Sequence, residues 1–125
     1  MPRLGRDPAV SGPVVRGFVG GGFSLDGGVY PALLLTPERA DSWEAPPLAE
    51  LTVEHVAPLL ALEPPPEFIL LGTGATTVFP PRGLIAELEA RGIGLEPMDS
   101  RAAARTWSML RGEERWIAAA IMPLG

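Results

Sequence analysis

A short apolar strand that runs into a glycine turn constrains the fold of this chain more than any other feature. Residues 68–71, Phe-Ile-Leu-Leu, lie between a proline run and Gly72-Thr73-Gly74, which is the pattern of a strand buried on both faces. Pro80-Pro81 then introduce a helix that ends at Gly92, a residue suited to the position after a helix. The apolar side chains of this helix recur at helical spacing, at Leu84, Ile85 and Leu88.

Strands and helices alternate along the rest of the chain. The turn signal Asp26-Gly27-Gly28 predicts an N-terminal β-hairpin, while Thr52 and Asp99 are suited to cap helices. This order predicts an α/β domain with a mixed, mostly parallel sheet. The predicted strands cover 18–25, 29–35, 68–71, 93–98 and 115–122, and the predicted helices cover 53–62, the segment after Pro81, and 100–111.

The chain length of 125 residues fits one domain. The first 15 residues contain prolines and glycine and lack the apolar core of a secretory signal. We therefore predict a flexible N-terminal tail at 1–15 and a single α/β domain at 16–125. No apolar run approaches the roughly 18 residues of a membrane helix, so a cytoplasmic protein is expected.

The composition excludes several kinds of chemistry. The sequence has no Cys, and all ten basic residues are Arg, which rules out thiol nucleophiles, zinc-thiolate sites and catalytic lysines. His55 is the only histidine, and no carboxylate spacing around it suggests a metal site. The net charge of −5 argues against nucleic acid as a partner. The bias towards Ala, Arg, Gly and Pro is typical of a GC-rich bacterial coding sequence.

The remaining charge is unevenly distributed. Residues 36–67 carry seven acidic side chains and only one basic one, Arg39. The predicted last helix carries Arg101 and Arg105 on the face opposite Trp107. Either stretch is a solvated face or a contact surface, and the first interpretation is the more common one.

The glycine turn partly matches a dinucleotide-binding fingerprint. Gly72 and Gly74 supply two of its glycines, and Glu96 follows at about the expected distance. However, Thr77 occupies the position of the third glycine, and Pro80-Pro81 delay the helix, so its positive end is not expected to face a phosphate. The pattern therefore favours a tight structural turn, and no cofactor is predicted.

A second motif, Met98-Asp99, is expected to meet the turn at one edge of the sheet. Both motifs follow strands at their carboxyl ends, which is where ligands bind in parallel sheets. The alternative is that Asp99 only caps its helix and that the nearby arginines face water. The candidate binding rim for a ligand or partner consists of Gly72, Thr73, Gly74, Met98, Asp99, Arg105, Thr106 and Trp107.

Residues 67–123 carry a family resemblance. The ordered elements are LGTG at 71–74, a helix ending in RGI, EPMD at 96–99, ARTW at 104–107 and the alanine strand at 118–120. This order resembles the small domain family of largely unknown function that includes mitochondrial respiratory complex I assembly factor three and the adipogenesis-associated Mth-like domain protein. The resemblance covers about residues 16–123. It implies a three-layer α/β fold of the Mth-like type and no known catalytic activity.

Two functions follow as expectations. The resemblance implies a non-enzymatic interaction module with a protein partner, of the kind that assembles a membrane-associated respiratory complex. The alternative is a small-anion binder or an unrecognised enzyme that uses the rim. Family members usually carry Asn two residues after the Thr, whereas this chain has Ser108. If that amide contacts a ligand in the relatives, this protein is expected to bind the ligand differently or not at all.

Overall fold

The computed structural model describes residues 12–125. The strands are β1 (Gly17–Val19), β2 (Gly22–Leu25), β3 (Gly28–Tyr30), β4 (Leu33–Leu35), β5 (Ala40–Ser42), β6 (Phe68–Gly72), β7 (Gly94–Met98) and β8 (Ala118–Ile121). The α-helices are α1 (Ala57–Leu60), α2 (Arg82–Ala90) and α3 (Ser100–Gly112), and 3-10 turns cover Leu48–Glu50 and Val53–Val56.

The central sheet has five strands in the order β5-β4-β8-β6-β7. β6 pairs in parallel with β7 and β8, whereas β4 pairs antiparallel with β5 and β8. The mixed α/β architecture predicted from the sequence is confirmed. Two of the four strand pairings in this sheet, β8–β6 and β6–β7, are parallel, as the alternating pattern predicts. The other two, β5–β4 and β4–β8, are antiparallel.

A second, three-stranded antiparallel sheet, β1-β2-β3, contains the predicted N-terminal hairpin. The predicted strand 18–25 is in fact two strands, because Gly20 and Gly21 both have positive φ and form a turn. The predicted strand 29–35 is also divided: β3 pairs in the small sheet and β4 in the large one. The division falls at Pro31, which has no N–H to donate to a ladder.

The region from 36 to 62 differs most from the prediction. β5 lies within the predicted connection and pairs with β4. The helix predicted at 53–62 is a 3-10 turn followed by the single-turn helix α1. The N–H of Thr52 donates to Nδ1 of His55 at 3.0 Å, so the only histidine takes part in the start of this turn.

The two faces of the large sheet bury separate cores, because successive strand residues point to opposite faces. Ile69 and Leu71 of β6 pack towards α2, whose Leu84 and Leu88 belong to the same core. Leu70 packs on the other side with Phe23 of the small sheet and with α3. The domain therefore has three layers, as the family resemblance implies. Within residues 12–125, no helix has the length and apolar character needed to cross a bilayer.

Residues 13–15 contact α3. The Trp107 Nε1 donates to the carbonyl of Pro13 at 3.0 Å, and the N–H of Val15 donates to Ser108 Oγ at 2.9 Å. Of the tail predicted at 1–15, residues 1–11 lie outside the described residues. Residues 13–15 pack against the domain.

Candidate functional site

The glycine turn and the Met98-Asp99 motif meet at one edge of the large sheet. Gly72 ends β6 and is in register with Met98, which ends the parallel neighbour β7. The N–H of Thr73 donates to the carbonyl of Met98 at 2.8 Å. The two motifs meet because each follows the carboxyl end of one of two paired parallel strands, as the sequence predicts.

Thr73 organises the loop that follows β6. Its Oγ1 donates to the carbonyl of Thr76 at 2.6 Å and accepts from the N–H of Val78 at 3.1 Å. The Thr73 side chain also lies 3.2 Å from the Met98 carbonyl. Only 8% of the residue is exposed. Its hydroxyl is therefore occupied in holding residues 73–78 in place.

Ser100 completes the loop from the other side. The N–H of Gly74 donates to Ser100 Oγ at 2.8 Å, and the N–H of Ser100 donates to the carbonyl of Gly74 at 2.8 Å. Ser100 is fully buried. The N–H groups of Thr73 and Gly74 thus both have acceptors within the protein, whereas an anion-binding nest needs free N–H groups that point at the ligand.

Ser100 was not among the residues that sequence reasoning selected. The signal for it was weak, because a serine at the start of a helix is common whatever its contacts. The only indication was its place one residue after the predicted cap, at the end of the strand that pairs with β6.

Asp99 caps α3, as predicted. Its Oδ1 accepts from the N–H of Ala102 at 2.9 Å, which satisfies one of the free donors at a helix start. This contact is the one expected if Asp99 only caps its helix.

The remaining rim residues lie along α3 and point in different directions. Arg105 is exposed and lies about 9 Å along the helix axis from Asp99, at 1.5 Å of rise per residue. Thr106 is half-buried. Trp107 is fully buried in the core between α3 and the sheet. The structure therefore brings the GTG turn and Met98-Asp99 together, while Arg105 is displaced along the helix and Trp107 faces inwards.

Two ion pairs lie away from this edge. Arg115 donates to Glu67 at 2.7 Å, and this hydrogen bond holds the pKa of Glu67 below its ordinary value. Arg39 donates to Asp41 at 2.8 Å, which raises the pKa of Arg39. Arg101 lies over the Phe18 ring, 5.1 Å from its centre, which is within the range of a cation–π contact.

The described surface contains several shallow clefts. Four of them have volumes of about 290 to 300 Å³, and none of these four is lined by a rim residue. Among residues 12–125, no group of three or more His, Asp or Glu side chains is placed to hold a metal ion.

Comparison with known proteins identifies the family. The model of a family described as a protein of unknown function, DUF498/DUF598, matches residues 15–122. The chain belongs to the DUF498/DUF598 family. A solution NMR structure from Bordetella pertussis, described as a Mth938-like domain, superposes on this DUF498/DUF598 chain with a TM-score of 0.78 at 28% identity, covering 99% of this chain and 94% of that one. The Mth-like fold is thereby confirmed.

Two relatives in sequence cover most of this DUF498/DUF598 chain. An uncharacterized protein of Rhodobacter capsulatus is 34% identical over 121 residues, which is 95% of this chain and 92% of the relative. The zebrafish (Danio rerio) protein named NADH dehydrogenase [ubiquinone] 1 alpha subcomplex assembly factor 3 is 32% identical over 116 residues. That match covers 92% of this chain and 67% of the zebrafish protein.

Proposed function

We propose that this DUF498/DUF598 protein is a non-enzymatic, cytoplasmic interaction module that helps to assemble a membrane-associated respiratory complex. The observation that carries the proposal is the 32% identity to the zebrafish assembly factor, which extends over 92% of the chain. The contacts of the GTG turn are structural, so we look for the partner contact elsewhere on the surface. The loop donors, the Thr73 hydroxyl and the Asp99 carboxylate all hold the loop and the start of α3.

We assign the partner contact to the outer face of α3, which we define as Arg101, Arg105 and Met109. These residues recur every four positions, so they lie on one face of the helix. All three are exposed, and Met109 is 58% exposed. Arg and Met are enriched in protein interfaces, and Met adapts its shape to different partners. The two arginines favour a partner with acidic side chains.

The test is a deletion of the gene in its native host. If the proposal is correct, the assembled respiratory NADH dehydrogenase should fall in abundance on native gels, and the wild-type gene should restore it. The catalytic subunits should still be synthesised, because only their assembly is affected. Normal amounts of the assembled complex in the deletion strain would overturn the proposed function.

A charge reversal separates the function from the surface that we assign to it. Arg105→Glu should fail to restore assembly, whereas Arg91→Glu, the same charge change at the exposed end of α2, should restore it. Both variants should keep the wild-type circular dichroism spectrum, since both side chains are exposed. If the wild type and Arg105→Glu restore assembly equally, the function stands and the outer face of α3 is not the contact.

A further inference from the structure

Four residues at helical spacing form a stripe along the outward side of α2. Arg82, Ile85, Ala86 and Glu89 follow the spacing i, i+3, i+4, i+7, so they share one face of the helix. Leu84 and Leu88 are buried in the core on the other side. Together with Phe79, the stripe lines a cleft of about 300 Å³. We call these four residues the α2 stripe.

The surroundings of the α2 stripe are apolar and small. Phe79 is 73% exposed and Val78 is 44% exposed. Burial of an aromatic side chain is one of the largest single apolar contributions to stability, and the exposed Phe79 does not make that contribution within this chain. Gly83, Ala86 and Ala90 are also exposed on this helix, and residues without long side chains allow another backbone to approach closely.

The two charges of the α2 stripe oppose the dipole of their own helix. Arg82 is in the first turn, where the dipole favours an acid, and Glu89 is in the last turn, where it favours a base. Neither side chain forms an ion pair with another residue of the range 12–125. Within one copy of the chain, both charges therefore destabilise α2.

We propose that α2 packs antiparallel against α2 of a second copy of this chain, about a two-fold axis near Ile85 and Ala86. That axis lies midway between residues 82 and 89, so Arg82 of each copy faces Glu89 of the other copy. Each interface of this kind uses the same patch twice and must be self-complementary. The stripe meets this condition, with two identical ion pairs around an apolar centre.

The antiparallel arrangement also offsets the conflict with the dipole. The start of each helix lies beside the end of the other, so Arg82 faces the negative end of the second helix and Glu89 faces its positive end. In the dimer each charge keeps the unfavourable interaction with its own helix and gains a favourable one with the second helix. A partner that lacks this pairing would leave the conflict in place.

The dimer should be weak and reversible. The nine residues of α2 span only about 13.5 Å, which is short for the interface of a permanent dimer, and its ion pairs are exposed and screened by salt. The inference does not depend on the proposed assembly function.

The experiment is sedimentation velocity of the full chain, from micromolar concentrations to about 1 mM, at low salt. The weight-average sedimentation coefficient of the wild type should rise with concentration from the value of a 13.2 kDa monomer towards that of a dimer. Arg82→Glu places two glutamates opposite each other and should remain monomeric over the same range. Glu89→Arg should also remain monomeric, because it places two arginines opposite each other.

The decisive sample is an equimolar mixture of these two variants. In a mixed dimer, the introduced glutamate of one variant faces the introduced arginine of the other, and the native Glu89 of the first faces the native Arg82 of the second. The mixture should therefore associate although neither variant does so alone. Glu87→Arg is the matched control, since it makes the same charge change on an exposed position of α2 outside the stripe. This control should associate like the wild type.

Three outcomes would overturn the proposal: a wild type that stays monomeric at about 1 mM, a control that loses association as fully as Glu89→Arg, or a mixture that remains monomeric. Circular dichroism of each variant checks that the fold is intact. Because the substituted side chains are all exposed, loss of folding is not expected.

Discussion

Gly72, at the end of β6, lies against both β8 and the start of α3. A Cβ atom on this residue would lie 2.8 Å from Ser100 Oγ, 2.9 Å from Ile121 Cγ2 and 3.0 Å from Ser100 Cα. Ser100 has little freedom to move, because its hydroxyl and its N–H both bond to Gly74. The first glycine of the GTG turn is therefore explained by close packing between elements.

Replacing Gly72 by alanine should lower the free energy of unfolding by about 1 to 3 kcal/mol, the usual cost of an added group in a filled core. Urea denaturation measures this change. The matched control is Gly83→Ala in α2, where an added Cβ would meet nothing within 4 Å. That substitution should be neutral or stabilise the protein by up to about 1 kcal/mol, because alanine favours the helix. Equal midpoints for Gly72→Ala and the wild type would contradict the packing argument.

The sequence predicted the positions of these residues better than their roles. The meeting of Thr73 with Met98 follows from strand direction alone, so it could be inferred without coordinates. The engagement of the Gly74 N–H could not, because it depends on the position of Ser100 across the loop. Trp107, which the helical spacing places opposite Arg101 and Arg105, is buried, and that burial separates it from the proposed rim.

At the scale of elements, the stability of α3 depends on the Asp99 cap at its N-terminus. Asp99→Ala should remove the bond to the Ala102 N–H and cost about 1 kcal/mol in the free energy of unfolding. Asp99→Asn keeps a side-chain oxygen at this position and should retain most of the stability. Chemical denaturation of both variants tests this. If alanine and asparagine are equally destabilising, the charge rather than the cap is responsible.

The elements with strong local signals were predicted with nearly correct ends. β6, β7 and α3 are bounded by glycine, proline or a capping aspartate, and α2 begins directly after Pro81. β5 was missed because its sequence, Ala-Asp-Ser, has no strand pattern and it exists through pairing with β4. The two strands are neighbours in the chain, with Leu35 opposite Ala40, so the prediction failed because the pairing overrides the weak strand propensity of β5.

At the scale of the whole molecule, the segment 13–18 belongs to the packed domain. Residues 13–18 run along α3, where Pro13 contacts Trp107, Val15 contacts Ser108 and Phe18 lies under Arg101. No local pattern indicated this, because a stretch with prolines and glycine resembles a tail. The prediction of a three-layer domain was correct, but its N-terminal boundary depends on contacts between residues more than 90 positions apart.

A chain that begins at residue 16 should therefore be less stable than one that begins at residue 12. The shorter chain leaves the indole N–H of the buried Trp107 without its acceptor, which costs about 1 to 3 kcal/mol. Thermal unfolding of the two chains measures the difference. In a Trp107→Phe background the same truncation should cost less, because phenylalanine has no N–H to satisfy. Two chains of equal stability would show that the contact with Pro13 contributes nothing, and an unchanged truncation cost in the phenylalanine background would assign the loss to the Val15–Ser108 bonds instead.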